Sequence, residues 1–414
     1  MNELSVKRID IQDNRLEIEI IASGEWGRYI NSQVFWCEYN MEIKGLPDSL
    51  AVVPLLGNIL PIAWVHNLVI HVGTIDKSFY SYLPMVMEGY VKMYPEMKFS
   101  DNLIADMVEE NSAAGTNERK EVCFFSGGVD AYYTFLRHMD EASALATVWG
   151  SDIALDDLVG WKNVEDAVTA VCEKYKKDKY IIKSNFREFI NTKNLSDDLK
   201  HPGWSWWHEF QHGMGLITLM APAAYEEKVR KLYIASSYTA DIQNLTCASD
   251  PSIDNFVRFS DCEVVHDGFE ANRQEKIKQI INYSKESHDR IDLRVCWVSR
   301  GGRNCCVCEK CCRTMAAILL EDGEPCEFGF EGKDASSAAI ARNMRYRNSG
   351  LARDWDLLHA AFQNKYTLES VPAEWRWFYR GGTYSINHNF LFSMRRFFTD
   401  LKLRVKCRLE KGVR

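Results

Sequence analysis

The sequence predicts an α/β protein: a parallel sheet with helices on both faces, preceded by a mixed α/β module and followed by a C-terminal extension. Three observations predict it. From Val122 onward, short apolar runs alternate with longer segments of helical period, the pattern of βαβ units. A glycine pair, Gly127-Gly128, directly follows the first of those runs, where a strand would turn into a helix. The chain of 414 residues, 46% hydrophobic and 26% charged, has the length and composition for a large core and two or three domains.

Taken in order, residues 16–20 alternate at period two, as a half-buried strand does. Residues 59–72 are apolar, broken by Pro61 and the pair His66-Asn67, and 79–94 read as a helix stopped by Pro95. The polar stretch 111–117 is the expected connector, which makes 1–118 the N-terminal module. Strands are then expected at 122–125, 144–149, 180–183, 232–236, 263–265 and 293–297, with helices at 130–140, 163–176, 208–225 and 272–284. These elements define a central domain, 119–325. In such sheets ligands bind beyond the carboxyl ends of the strands, where the glycine turn lies.

Residues 326–414 form the extension, less regular, with Trp355, Trp375, Trp377, Phe378 and Tyr379 set among arginines. It holds 16 Lys and Arg against 9 Asp and Glu, a net of +7, which leaves −15 on the remainder of a chain whose total is −8. Residues 401–409 alternate strictly and read as an edge strand with a basic face. A basic tail on an acidic body points to an acidic partner or nucleic acid, or simply to a solvated surface. No uninterrupted apolar run approaches the ~18 residues of a membrane span. Met1-Asn-Glu-Leu-Ser opens with no basic segment followed by an apolar one, so a cytoplasmic protein without membrane contact is expected.

Two constellations carry chemistry. In Ser126-Gly127-Gly128-Val129-Asp130, backbone N–H groups of Gly127, Gly128 and Val129 can converge on an anion. No Cβ at either glycine holds the anion off, and a helix N-terminus stands behind. No Gly-Lys-Ser/Thr follows, so this is not a Walker A loop, and an ordinary tight turn shares the same local pattern. The second is a cysteine cluster. Six of 13 cysteines fall between Cys296 and Cys312, and Cys296, Cys305, Cys308 and Cys311 are spaced x8, x2, x2. Four thiolates at that spacing suit tetrahedral Zn²⁺, closed and structural. An Fe–S cluster or unpaired buried thiols are the alternatives, and Cys306 and Cys312, each beside a chosen ligand, allow a swapped register.

The turn resembles the SGGxDS signature of the PP-loop ATP pyrophosphatases, with Ala131 at the final serine position. That resemblance implies a Rossmann-like PP-loop (HUP) fold and cleavage of ATP between its α and β phosphates. A PP-loop followed by Cys-x8-Cys-x2-Cys-x2-Cys is similar to the 7-cyano-7-deazaguanine synthase family, over roughly residues 120–320. The resemblance implies that Ser126, Gly127, Gly128, Val129 and Asp130 hold ATP and Mg²⁺, and that the four cysteines hold zinc. It also implies that Arg273, in Arg273-Gln-Glu275, replaces the family's lysine at a late helix start and neutralises the leaving pyrophosphate. Asp130 and Arg273 are thus the expected catalytic pair.

Family enzymes adenylate 7-carboxy-7-deazaguanine and let ammonia attack, on the way to a nitrile. Enlarged relatives in bacterial antiphage defence operons of the CBASS and Qat types are thought to join the activated acid to a protein amine, and the layout of this chain resembles theirs. The implied partners are ATP, a deazaguanine-type acid and a protein acceptor from the same operon. Trp149-Gly150-Ser151-Asp152-Ile153 stands where the family has Tyr-Gly-Gln-Arg/Lys-His, and Asp254-Asn-Phe-Val-Arg258 is the only trace of its later Tyr-Pro-Asp-Cys-Arg. A tRNA-modifying PP-loop enzyme and a non-catalytic ATP-binding scaffold are the other classes.

One further motif competes. His208-Glu209-Phe-Gln-His212 matches H-E-x-x-H, in which two histidines hold Zn²⁺ and the glutamate acts as base. No third ligand has the spacing of a metalloprotease, so the readings are packing with a polar rim, a lining for the substrate pocket, or peptidase chemistry.

Overall fold

The structure, a computed structural model, describes residues 2–112, 120–201, 204–240, 242, 245–296, 298, 300–331, 341 and 349–387. The expected strand at 401–409, the basic tail and most of the connector at 111–117 lie outside the described residues. The chain divides into two compact units, Met1–Arg273 with Arg300–Gly302, and Gln274–Ser299 with Arg303–Arg414.

The first unit is built on one sheet of eleven strands: β1 (Glu3–Gln12), β2 (Arg15–Ala22), β3 (Val34–Tyr39), β4 (Val69–Asp76), β5 (Leu103–Glu109), β6 (Lys120–Phe124), β7 (Ala142–Trp149), β8 (Asp178–Ser184), β9 (Val229–Ala235), β10 (Arg258–Phe259) and β11 (Cys262–Asp267). Their order is β10-β11-β9-β6-β7-β8-β3-β2-β1-β4-β5. The block β8-β7-β6-β9-β11 is parallel throughout. Numbered by appearance, those five strands run 3-2-1-4-5, the doubly-wound order, so the topological switch point lies between β6 and β9. The N-terminal strands extend the same sheet, with β3 antiparallel to β8 through Cys37↔Ser184, Glu38↔Lys183 and Tyr39↔Ile182.

Burial follows the pattern of the sequence. Glu121 to Phe124 on β6 are buried consecutively, as a parallel strand covered on both faces must be, whereas β3 alternates buried and half-buried residues. The apolar run 59–72 splits into the end of a helix, α1 (Val53–His66), and the start of β4. Pro61 lies inside α1 and does not end it: every residue from Val53 to Trp64 is buried, and that all-round burial outweighs the ~3 kcal/mol helix cost of a proline. The expected helix at 79–94 is α2 (Lys77–Met93), capped by the Asp76 carboxylate, which accepts from Phe79 N at 2.9 Å. Next come α3 (Val129–Arg137) after β6 and α4 (Leu158–Tyr175) after β7.

Two expected elements take another form. Residues 208–225 are not one helix but a π-helical turn (Trp207–Gln211) and three short helical pieces (Met214–Ile217, Thr218–Met220, Ala221–Glu226), since Gly213 leaves helical angles at φ −79°, ψ −88°. The strand expected at 293–297 does not form among the described residues. Ile291, Leu293 and Val295 are buried in alternation, but the Asn304 side chain takes the place of a partner strand. Its Oδ1 accepts from Val295 N at 2.9 Å and Cys296 N at 3.3 Å, and its Nδ2 donates to Leu293 O at 2.7 Å.

The second unit carries most of α5 (Arg273–Ser287), then α6 (Glu309–Leu320) and α7 (Ser349–Lys365). Trp355, Phe362, Trp375 and Phe378, all 0% exposed, form its aromatic core, so these four aromatic residues of the C-terminal extension pack inward. Among the described residues no helix is long and apolar enough to cross a membrane.

Candidate functional site

The glycine turn stands at the carboxyl end of β6, on the switch point. The strand is held to its neighbour up to the turn itself: Phe125 N donates to Ala146 O at 2.7 Å, and Thr147 Oγ1 donates to Phe125 O at 2.6 Å. Gly127 then takes φ +74°, the left-handed region that glycine enters without a Cβ penalty. Ser126 is exposed, and its Oγ accepts from Gly128 N at 3.3 Å. Gly128, the N-cap of α3, brings no side-chain acceptor, and Asp130 is the acidic residue of the first turn, at the positive end of the helix dipole. Val129 and Ala131 are buried in the first turn, so the position where the resembling signature has serine serves packing.

Asp130 and Arg273, far apart in sequence, meet here. Arg273 Nη1 lies 3.3 Å from Asp130 Oδ2, both side chains 19% exposed. The carboxylate therefore holds a guanidinium beside the turn. Sequence reasoning missed what fixes α3. Asp267, at the end of β11, accepts from Thr134 Oγ1 at 2.8 Å and lies 3.0 Å from His138 Nε2 and 3.6 Å from Arg137 Nη1. Three side chains at the C-terminal end of α3 thus clamp it to the fifth strand of the parallel block. The expected strand there stopped at Val265, two residues short of Asp267, so no signal drew attention to it.

In the second unit Cys296, Cys305, Cys308 and Cys311 place their sulfurs within 4.8 Å of one another. Cys296 Sγ and Cys308 Sγ are 3.8 Å apart, and Cys305 Sγ and Cys311 Sγ 4.0 Å. A tetrahedral ion with metal–sulfur bonds of about 2.3 Å holds its sulfurs about 3.8 Å apart, so the set suits a single metal ion such as zinc. A multi-iron cluster, with each thiolate on its own iron, would spread them further. The register is that of the x8, x2, x2 spacing. Cys306, at φ +56°, turns its sulfur toward the carbonyls of Asn304 and Glu331, and Cys312 is buried against the Cys306 carbonyl.

Backbone amides point at the sulfurs as in a knuckle: Cys308 N donates to Cys305 Sγ at 3.3 Å and Cys311 N to Cys308 Sγ at 3.5 Å. The thiols also compete for protons. The Cys296 sulfur pushes all three neighbours upward; Cys308 and Cys311 pull Cys305 down to about 6, while Cys308 and Cys311 themselves are held well above the ordinary thiol range. Four sulfurs this close ionise together only around a cation. The twelve described cysteines form no disulfide.

The H-E-x-x-H stretch forms no such site. Among the described residues the four-cysteine group is the one set of three or more ligand atoms close enough for a metal. Glu209 is 2% exposed and accepts from Tyr94 Oη at 2.9 Å, and the His212 ring packs edge-on to Trp207 at 5.1 Å. Asp254, in the trace of the family's later motif, is 0% exposed and tied to His266 Nδ1 at 2.8 Å and Ser249 Oγ at 2.7 Å, which makes it a core group.

Comparison with family models, with curated proteins and with solved structures returns no match.

Proposed function

We propose that the chain is a PP-loop enzyme that binds ATP at Ser126 to Asp130 and activates a carboxylate as its acyl-adenylate. The observation that carries this reading is the left-handed Gly127 turn on the switch point of a 3-2-1-4-5 sheet, with the Asp130–Arg273 pair beside it. In the proposed reaction a substrate carboxylate oxygen attacks the α-phosphorus and pyrophosphate leaves. An amine then attacks the acyl carbon, loses a proton, and AMP departs. Gly127, Gly128 and Val129 N–H groups would bind the phosphates, and Arg273, held by Asp130, would offset charge building on the pyrophosphate. Mg²⁺, arriving with ATP, would supply further charge neutralisation there. Zinc on the four cysteines would be structural, since a closed tetrahedral sulfur set offers no position to a substrate.

The resemblance of the turn and of the x8, x2, x2 cysteine spacing to the 7-cyano-7-deazaguanine synthases implies a deazaguanine acid, 7-carboxy-7-deazaguanine, as substrate, and the resemblance in layout to their enlarged relatives implies a protein amine in antiphage defence as acceptor. Mass spectrometry after incubation with ATP, this acid, and either ammonia or proteins of the same operon tests the proposal. A mass shift on a protein supports conjugation, and a nitrile makes the chain a biosynthetic synthase. Intact ATP in every mixture overturns the enzymatic reading.

A further inference from the structure

The loops that follow β7 and β8 hold a cation to which the reaction above gives no role. Arg187 lies three residues beyond β8 in the short helical turn Phe186–Phe189, between two side chains that are 0% exposed. The backbone carrying it is pinned. Asn185 accepts from Trp36 N and donates to Val34 O, both at 2.9 Å, and Ser184 Oγ accepts from Phe186 N at 3.1 Å. The neighbouring loop is locked to the same place, because Gly150, at φ +105°, lies so close to β8 that a Cβ there would stand 2.1 Å from Ser184 O.

Within that frame the guanidinium stacks 4.1 Å over the Trp207 ring and donates from Nη1 to Ser151 O at 3.0 Å. This is its one hydrogen bond among the described residues, and it makes no ion pair with them, although a guanidinium has five N–H donors. Half-buried, it is held below its ordinary range by loss of hydration, with Asp152 opposing that shift. A stacked, rigid fork with most of its donors unmet by the described residues is the arrangement that recognises a carboxylate bidentately. Ser151 belongs to the loop leaving β7, the strand paired with β6, so the fork is on the carboxyl edge that carries the glycine turn. The surroundings are aromatic: besides Trp207, Trp149 stacks on Trp161 at 5.0 Å, with Lys183 Nζ 4.3 Å from the Trp149 ring.

We propose that Arg187, levelled by Trp207, binds the carboxylate of an aromatic acid substrate and so selects the acid over its neutral derivatives. The proposal rests on the acyl-adenylate reading for its choice of ligand, and Arg187 would act as a binding residue.

Calorimetric titration of the full chain tests it, with 7-carboxy-7-deazaguanine, its carboxamide and ATP as separate probes against wild type, R187Q and R187K. Wild type is expected to bind the acid about tenfold or more tighter than the carboxamide. R187Q should abolish that preference with ATP affinity unchanged, the ATP titration also reporting that the variant is folded. R187K, which keeps the charge and loses the fork, should recover only part of the preference. Equal binding of acid and carboxamide by wild type, an undiminished preference in R187Q, or a loss confined to ATP in R187Q each overturns the assignment. Wild type that prefers the acid and does not bind ATP leaves Arg187 standing and overturns the nucleotide reading. Wild type that binds ATP and neither form of the acid does the reverse.

Discussion

The glycine turn, proposed to bind an anion, and the four-cysteine loop, whose backbone N–H groups donate to its own sulfurs, are both short segments, yet they are held in opposite ways. The turn is fixed by protein alone: β7 hydrogen bonds reach Phe125, Asp267 clamps α3, and Gly127 supplies the left-handed step. The cysteine loop has the Asn304 side chain where a strand partner would be, and its four sulfurs face one another. On the proposed reading the first site stands without its ligand, whereas the second gathers four thiols that a cation would hold together. Binding should therefore leave the structure of the first nearly unchanged and supply folding free energy to the second.

The largest expected effect separates the two directly. Chelation of the metal, or Cys308→Ser, should remove on the order of 10 kcal/mol of local stabilisation from the cysteine loop. Hydrogen exchange should then rise steeply across residues 293–312 while β6, β7 and β8 stay protected. Loss of protection in both places together would break the distinction. The next effect is on chemistry. Arg273→Ala should lower the rate of pyrophosphate release about 10²–10³-fold with little change in melting temperature, and Asp130→Asn should lower it less, by loosening the guanidinium. A melting temperature that falls with the rate would make the pair a structural one.

A smaller change probes the preformed edge. Gly150→Ala must separate the loop from Ser184 O, at a cost of about 1–3 kcal/mol, and substrate affinity should weaken while metal content is unchanged. The smallest is a pH effect in the first unit. His66, stacked on Tyr29 at 4.4 Å, is held below its ordinary pKa first by burial, with Asp198 opposing. The folded chain therefore takes up this proton less readily than the unfolded chain. The stability involved is fully present above about pH 6.5, the ordinary histidine value, and is lost as the pH falls from there through the lower folded value. His66→Gln should flatten the slope of melting temperature against pH between about 7.5 and 5.5.

Local signals carried well from sequence to structure. The alternation of strands and helices after Val122 reproduces the parallel block, because a strand buried on both faces must be an apolar run whatever surrounds it. The cysteine spacing marks four residues that converge, since ligands two residues apart need only a knuckle to meet. Pairings set by distant contacts were not legible. That β3 would join β8 and make one sheet of eleven strands depends on hydrogen bonds between residues 37–39 and 182–184, for which no local pattern exists. Asn304 replacing a strand at 293–297 belongs to the same class: a periodic apolar run fixes which side is buried and leaves open what pairs with its backbone. The π-helical turn at Trp207–Gln211 also escaped notice, because H-E-x-x-H reads the same on either kind of helix.

On the proposed reading the Gly127 turn hands the α-phosphate of ATP to a carboxylate, a transfer that can be followed through oxygen. With ATP, ammonia or a protein amine as acceptor, and 7-carboxy-7-deazaguanine labelled with ¹⁸O in its carboxylate, mass spectrometry of the nucleotide product should find AMP carrying one ¹⁸O, with pyrophosphate released only when the acid is present. Unlabelled AMP, or ADP with inorganic phosphate, would contradict the account.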